Sequence, residues 1–118
     1  IRALQADGVQ FGSHSMTHRP MATIPPTQAL EELKRSRDLL NELLQRDVSV
    51  FAYPFSNQST EVRALARQAG YRAAVRGKGR MNWRSTDPFG LRRIKVEPHM
   101  SPADLQRVLR RERYFRLL

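Results

Sequence analysis

Short apolar segments alternate with helix-forming segments along this chain, and that order limits the folds open to it. Four segments have the length and apolar character of buried strands: residues 9–12, 48–53, 71–75 and 91–96. Four others carry leucines at helical spacing or helix-start and helix-end signals: residues 1–6, 28–45, 59–69 and 102–114. Glycine and polar residues at 76–90 predict a long loop. Strands that alternate with helices predict an α/β fold with a largely parallel sheet, either open or closed into a barrel.

Capping residues mark several of these boundaries. Gly8 and Gly70 each follow a helical segment and suit left-handed C-terminal caps. Two prolines precede Thr27, which we expect to be the N-cap of the helix over 28–45. Glu31 and Glu32 are then expected in its first turn, where a negative charge favours the helix dipole.

Length and composition indicate one folded domain, residues 1–118. Hydrophobic residues make up 40% of the chain and charged residues 27%, as in ordinary globular proteins. No apolar run is long enough to cross a membrane, and the absence of cysteine excludes disulfides and thiolate metal sites. The chain begins at Ile1, without an initiator methionine, in what resembles the middle of a helix. We therefore expect it to be part of a longer protein.

The formal net charge of +10 lies entirely in the second half of the chain. Residues 1–59 carry six basic and six acidic side chains, whereas residues 60–118 carry fifteen basic and five acidic ones. Such a surface attracts nucleic acid, an anionic polysaccharide or a membrane surface without specificity. Because no nucleic-acid motif accompanies the charge, we favour a solvated basic surface and expect no specific nucleic-acid partner.

Three predicted loops follow the C-terminal ends of strands, where α/β folds place functional residues. The loop at 13–18 supplies two imidazoles four residues apart, His14 and His18, which make two thirds of a catalytic zinc site. The loop at 54–57 is stiffened by proline, and its backbone N–H groups suit an oxyanion. The loop at 97–99 offers a glutamate and a histidine. Together the three loops outline a metal-assisted hydrolase.

Each of these residues also has a purely structural interpretation. Two histidines at this spacing are common by chance, and His99 alone is more typical of a surface or capping residue. Tyr53 and Pro54 also fit a packed strand end. Trp83 suits either stacking on a sugar or local packing of its loop. Asp7 lies at the opposite end of the first predicted strand and is a poor third ligand for the histidines.

Residues 14–18 read His-Ser-Met-Thr-His, which resembles the His-Ser/Thr-x-x-His metal motif of polysaccharide deacetylases, the carbohydrate esterase family 4 enzymes. Residues 51–55, Phe-Ala-Tyr-Pro-Phe, resemble the groove-wall motif of one branch of that family. The resemblance continues in the same order through three further segments: residues 69–74, 86–89 and 91–94. It thus covers nearly the whole chain.

The resemblance implies a partial distorted (β/α) barrel and a hydrolase that removes N- or O-acetyl groups, acting on carbon–nitrogen bonds other than peptide bonds. It also implies a divalent metal, usually zinc, held by an Asp and by His14 and His18. The metal polarises the acetyl carbonyl and activates a water, while the backbone N–H of Phe55 helps to hold the oxyanion. Tyr53, Pro54 and Trp83 are the candidate substrate contacts.

The sequence departs from the family pattern in three places. The family's first motif, an Asp-Asp pair that supplies the base and the third metal ligand, has no counterpart in this chain. Ala52 occupies the place of an arginine that often positions the base, and Arg93 is the candidate substitute. His99 matches the family's late general-acid histidine poorly, so its catalytic role stays open.

We therefore expect the C-terminal portion of a polysaccharide deacetylase domain, with an acetylated polysaccharide or oligosaccharide as its partner. By the same resemblance, the expected location is the cell envelope, the periplasm or the extracellular space. Two other functions stay open: a non-catalytic carbohydrate-binding or structural remnant of the same fold, and an anion-binding or nucleic-acid-associated module.

Overall fold

A computed structural model of the chain describes residues 1–77, 79 and 81–114, with residues 111–114 described by their backbone alone. Its regular elements, in chain order, are α1 (Arg2–Ala6), α2 (Pro26–Leu44), β1 (Val50–Ala52), α3 (Thr60–Gln68), β2 (Ala73–Arg76), β3 (Leu91–Arg92) and α4 (Pro102–Tyr114). Single turns of 3₁₀ helix lie at Met21–Thr23, Pro54–Ser56 and Pro88–Gly90.

The three strands form a parallel sheet in the order β1-β2-β3. Phe51 of β1 pairs with Ala74 of β2, and Val75 of β2 pairs with Leu91 of β3. Because the strands are parallel, their C-terminal ends lie along the same edge of the sheet. The predicted α/β class with a parallel sheet is confirmed.

The strand predicted at residues 9–12 does not form, and its pairing is reduced to one parallel bridge between Ser13 and Phe51. The Ser13 amide donates to the Val50 carbonyl over 2.9 Å, and the Ala52 amide donates to the Ser13 carbonyl over 2.8 Å. A Cβ on Gly12 would lie 3.1 Å from the Val50 carbonyl oxygen. Glycine therefore permits the close approach of the two backbones at this bridge.

The other elements form where predicted, with changes at their ends. Each strand is shorter than its apolar segment. Helix α2 begins at Pro26 with Pro25 as its N-cap, so the prediction that Thr27 is the N-cap was wrong. Proline is favoured at the first helical position because its missing N–H would have no partner there. Glu31 and Glu32 consequently lie beyond the first turn.

The helix ends at the two predicted glycines are confirmed. Gly8 and Gly70 both have φ of +93°, a left-handed conformation that glycine adopts without steric cost.

The core lies where α2, β1 and α3 meet, and a cluster of three aromatic rings lies within it. Phe51 is fully buried. Its ring centroid lies 5.3 Å from the ring centroid of Tyr53 and 5.3 Å from that of Tyr71. Helices α2 and α3 pack against each other, and the remaining core residues surround these rings. They are Met21, Ala29, Leu33, Leu44, Val48, Val62, Ala66, Ala69, Ala74 and Phe89.

The end of the predicted long loop is held against α3 by Asp87. Its carboxylate accepts a hydrogen bond from the Phe89 amide at 2.9 Å and pairs with Arg63 at 3.3 Å and Arg67 at 3.6 Å. The Arg67 guanidinium also lies 4.5 Å from the Phe89 ring centroid. Two arginines of the basic second half therefore stabilise the fold. Within the described residues, no helix is both long and apolar enough to cross a membrane.

Replacing Phe51 with alanine should destabilise the protein by about 3–5 kcal/mol, because the truncation leaves a cavity among the core rings. Phe55 is the matched control, since its side chain is 70% exposed and Phe55→Ala should change the free energy of unfolding by less than about 0.5 kcal/mol. Urea unfolding followed by circular dichroism measures both. Equal losses in the two variants would contradict this core assignment.

Asp87 should make stability depend on pH at the acidic end. The hydrogen bond from the Phe89 amide, opposed by partial burial and reinforced by Arg63, holds the pKa of its carboxyl below the ordinary value of 3.8. The stabilisation is therefore present above about pH 4 and is lost as pH falls through the lowered pKa. Asp87→Asn keeps an oxygen acceptor but removes the charge.

At pH 7 this variant should be less stable than the parent by about 1 kcal/mol or less, given the partial exposure of the pair. The difference should shrink as the pH falls below about 4, because protonation of Asp87 removes its charge. Thermal unfolding at a series of pH values measures this difference, and a difference that does not change with pH would argue against the ion pairs.

Candidate active site

The histidine loop, defined as residues 14–18, starts directly at the bridge between Ser13 and β1. Ser13 is 1% exposed and is hydrogen-bonded to β1 through both its amide and its carbonyl. The next side chain, His14, is exposed, and its Nδ1 lies 2.7 Å from the carbonyl oxygen of Ala52. Since a carbonyl only accepts, Nδ1 of His14 must carry the proton. The lone pair of a neutral His14 is then on Nε2.

The loop brings the two imidazoles together. Nε2 of His14 lies 3.1 Å from Nε2 of His18, and the ring centroids are 4.8 Å apart. The turn between them is closed by a hydrogen bond from the His18 amide to Oγ of Ser15 at 2.9 Å. Two arrangements fit this distance. Either Nε2 of His18 carries a proton and donates a hydrogen bond to Nε2 of His14, or both Nε2 atoms are unprotonated and direct their lone pairs at one ion.

The loop after β1 packs against the histidine loop. The ring of Phe55 meets His18 edge-on, with centroids 4.7 Å apart. The amide of Ala22, just beyond the histidine loop, donates to Oδ1 of Asn57 at 2.5 Å. Two of the three loops predicted at strand ends therefore lie together. The strand predicted at 91–96 ends at Arg92, so the loop at 97–99 does not follow a strand end directly.

Backbone strain is concentrated in these two loops. Of the five non-glycine residues with positive φ in the described part of the chain, Ser15, His18, Phe55 and Ser56 belong to them. Left-handed backbone is unfavourable for such residues and persists where surrounding contacts enforce it. No glycine marks these positions, so the sequence carried no signal for them.

Sequence reasoning missed the contact made by Glu32 of α2. Its carboxylate accepts hydrogen bonds from the amides of Met16 and Thr17 and from the Thr17 hydroxyl. Partial burial disfavours its ionised form, but the bonds from Thr17 and Met16 and the charge of Arg19 outweigh this and hold the pKa of Glu32 below its ordinary value. A glutamate on an amphipathic helix is too common for the sequence to reveal this role.

The ends of β2 and β3 extend the same edge. The amide and Nε of Arg93 lie 3.2 Å and 3.4 Å from the Arg76 carbonyl oxygen. Gly77, Arg93, Ile94 and Lys95 line a cavity of about 350 Å³. The Gly77 amide donates to Oγ of Ser56 at 2.7 Å, which ties the end of β2 to the loop that carries Phe55. Arg93 thus lies on the site edge, and its role as the substitute arginine stays a prediction.

Four candidate residues remain: Tyr53, Pro54, Trp83 and His99. Tyr53 is 1% exposed and donates its hydroxyl to the Phe89 carbonyl at 2.8 Å, and Pro54 is buried. The structure gives these two side chains a packing role, because neither presents a surface to a polymer. The side chain of Trp83 is exposed, and its backbone amide donates to Oγ1 of Thr86. The side chain of His99 is also exposed and precedes α4. Their functional roles stay predictions.

Two described side chains could hold a metal here. Two nitrogens bound to one zinc at the usual bond length are separated by roughly 3.0–3.4 Å, and the separation of 3.1 Å between the Nε2 atoms fits. The carbonyl that fixes the His14 tautomer is a typical partner of a metal-binding histidine. Among the residues described, no group of three or more His, Cys, Asp or Glu side chains forms a complete metal site.

Neutral His14 should exist as the Nδ1–H tautomer, because Ala52 provides an acceptor at that nitrogen. Long-range ¹H–¹⁵N correlation spectra, recorded where the ring is deprotonated, distinguish the two ring nitrogens by chemical shift. His99, exposed in its turn, serves as an internal reference. A dominant Nε2–H tautomer at His14 would disprove the hydrogen bond to Ala52.

Comparison with known proteins supports the same family throughout. YxkH of Bacillus subtilis, a polysaccharide deacetylase homologue, is 23% identical over 101 residues, which are 86% of this chain and 36% of YxkH. The Streptococcus pyogenes deacetylase PplD, solved in complex with acetate, superposes with a TM-score of 0.86 and 23% identity over 91% of this chain and 47% of PplD. BC0361, a polysaccharide deacetylase from Bacillus cereus, gives a TM-score of 0.77 and 18% identity over 92% of this chain and 34% of its own.

The chain thus spans about a third to a half of the length of these relatives. Their structures confirm the expected fold class, the α/β barrel type of polysaccharide deacetylases. The sequence model of the family described as polysaccharide deacetylase matches residues 1–74, which include the histidine loop, α2, β1 and α3. This chain belongs to the polysaccharide deacetylase family.

Proposed function

We propose that this chain contributes the histidine loop of a metal-dependent deacetylase that hydrolyses N- or O-acetyl groups on a polysaccharide. The observation that carries the proposal is the pair of Nε2 atoms of His14 and His18, 3.1 Å apart, with His14 oriented by the Ala52 carbonyl. Membership of the deacetylase family supports the same reaction class, hydrolysis of carbon–nitrogen bonds other than peptide bonds.

The donor chemistry fits a divalent ion, and zinc is the ion we propose. Imidazole nitrogens are favoured zinc ligands, and one of the two rings already has the tautomer that ligation requires. When bound, such an ion would polarise the acetyl carbonyl and lower the pKa of a water nucleophile.

Catalytic zinc sites generally use three protein ligands and an open position. The described residues bring together two, so we propose that a carboxylate outside the described contacts supplies the third. The resemblance of the histidine motif implies an Asp-Asp pair for this purpose, with one member on the metal and the other acting as general base. The activity is therefore proposed for the longer protein.

Other candidate residues have proposed roles on the substrate side. The backbone N–H of Phe55, whose ring covers one side of His18, is our candidate oxyanion donor. Arg93 is the candidate for positioning the base, because it extends from the C-terminal end of β3. Trp83 is the candidate for stacking on a sugar ring, and His99 stays the weaker candidate for general acid.

The proposed substrate determines the proposed location. A polysaccharide or amino-sugar polymer places the protein in the cell envelope, the periplasm or the extracellular space.

Zinc binding and acetate release by the full-length protein test the proposal together. His14→Ala and His18→Ala should each lower zinc affinity and the rate of acetate release from an N-acetylglucosamine oligomer by about 100-fold or more, because each removes a proposed ligand. An O-acetylated xylan oligomer in parallel distinguishes the two linkages. Isothermal titration measures the affinity, and an enzymatic acetate assay measures the rate.

His99→Ala is the matched control for zinc binding, since it removes an imidazole that lies outside the histidine loop. It should leave zinc affinity unchanged. Zinc affinity and acetate release that survive loss of both His14 and His18 would refute the proposal. Salt-sensitive binding of duplex DNA without acetate release would favour an anion-binding module instead.

A further inference from the structure

We infer that Glu32 is a positioning residue for the histidine loop: its carboxylate holds the loop in the shape that directs both imidazoles to one point. The inference rests on the proposed function for its metal, but the contact itself belongs to the metal-free fold. Glu32 lies on α2, far from both histidines in sequence, and its hydrogen bonds reach the segment between them.

Both oxygens of the carboxylate take part. Oε2 accepts from the amides of Met16 and Thr17, each at 2.9 Å, and Oε1 accepts from the Thr17 hydroxyl at 2.7 Å. Two successive amides that point at one oxygen form a concave site for an anion. Charge-assisted hydrogen bonds of this kind are stronger than neutral ones, and partial burial of Glu32 limits their competition with water.

The position of these amides gives the contact its effect. Met16 and Thr17 lie between the left-handed residues Ser15 and His18, whose φ angles are 69° and 57°. Such backbone is unfavourable without enforcing contacts. The carboxylate fixes the two peptide groups between these positions, and thereby fixes the direction in which the His18 ring leaves the backbone.

A second contact from α2, one turn further along, secures the start of the loop. The Ser13 hydroxyl donates to Oγ of Ser36 at 2.8 Å, and the Ser36 hydroxyl donates to the Leu33 carbonyl at 3.1 Å. The two serines are 1% and 4% exposed, so this bond sets the position of α2 against the bridge residue. Glu32 and Ser36 are four residues apart and share one face of the helix. Helix α2 therefore holds the loop both before and between its histidines.

The effect of Glu32 on the metal should resemble that of other groups that orient ligands without touching the ion. Loss of such a group typically weakens metal affinity by about 10- to 100-fold. In the full-length protein, Glu32→Ala should weaken binding of Co²⁺ alone by about 10-fold or more and alter its visible ligand-field spectrum. Glu32→Gln keeps one acceptor oxygen and should recover part of the loss.

Glu31→Ala is the matched control. Glu31 is the adjacent residue of the same helix, and its carboxylate pairs with Arg35 at 3.3 Å on the exposed face. This variant should leave Co²⁺ affinity and spectrum unchanged. Thr17→Val removes the hydroxyl contact at an exposed position and should give a smaller loss. Combined with Glu32→Ala it should add little, since the two changes remove the same interaction.

Amide hydrogen exchange in the metal-free protein tests the contact independently. The amides of Met16 and Thr17 should exchange about 10-fold faster in Glu32→Ala, while core amides of β1 keep their protection. Unchanged exchange at both amides, or unchanged Co²⁺ affinity in a folded Glu32→Ala protein, would overturn the inference. If Glu32→Ala does not fold, the same criteria apply to Glu32→Gln and Thr17→Val. Absence of histidine-dependent Co²⁺ binding in the parent would refute the proposed function. The exchange rates would still show whether Glu32 holds the amides of Met16 and Thr17.

Discussion

Two backbone hydrogen bonds at Ser13 determine where the histidine loop begins, and the remainder of the candidate site depends on them. They join Ser13 to Val50 and Ala52, so His14 emerges level with the end of β1. At that position the Ala52 carbonyl, at the C-terminal end of β1, accepts from the His14 ring. One bridge thus determines both the place and the tautomer of the first candidate ligand.

Parallel pairing of the strands then brings the other loops to the same edge. Residues that follow β1, β2 and β3 emerge side by side, and the bond from Gly77 to Ser56 links two of these loops directly. The regular strands are short, at three, four and two residues. Hydrogen bonds between side chains and backbone, such as that from Ala22 to Asn57, therefore stabilise the edge where the strand ladder has ended.

The sequence predicted two of the three loops at this edge, because the order of strands and helices determines which loops follow strand ends. The same patterns could not give strand lengths. Residues 9–12 are apolar enough for a strand, but Gly12 and the close Val50 carbonyl leave one bridge at Ser13. Thr27 had the chemistry of an N-cap, yet the rigid φ of Pro26 starts α2 earlier. In both cases the conformation that the residue types favour was overridden by the geometry of the neighbouring backbone.

The contact made by Glu32 was hidden for a different reason. Periodicity shows which face of α2 is apolar, but Glu32 lies beside that face, where a charged residue ordinarily meets water. Its partners are backbone amides, which carry no sequence signature, and they point at it because Ser15 and His18 adopt left-handed backbone. The strained turn and the carboxylate each require the other: the turn exposes two amides that need an acceptor, and the acceptor keeps the turn from relaxing. A site built in this way can present two imidazoles in a fixed arrangement before any ion binds. In the proposed metal centre, the helix that carries Glu32 would support the ligands without supplying one.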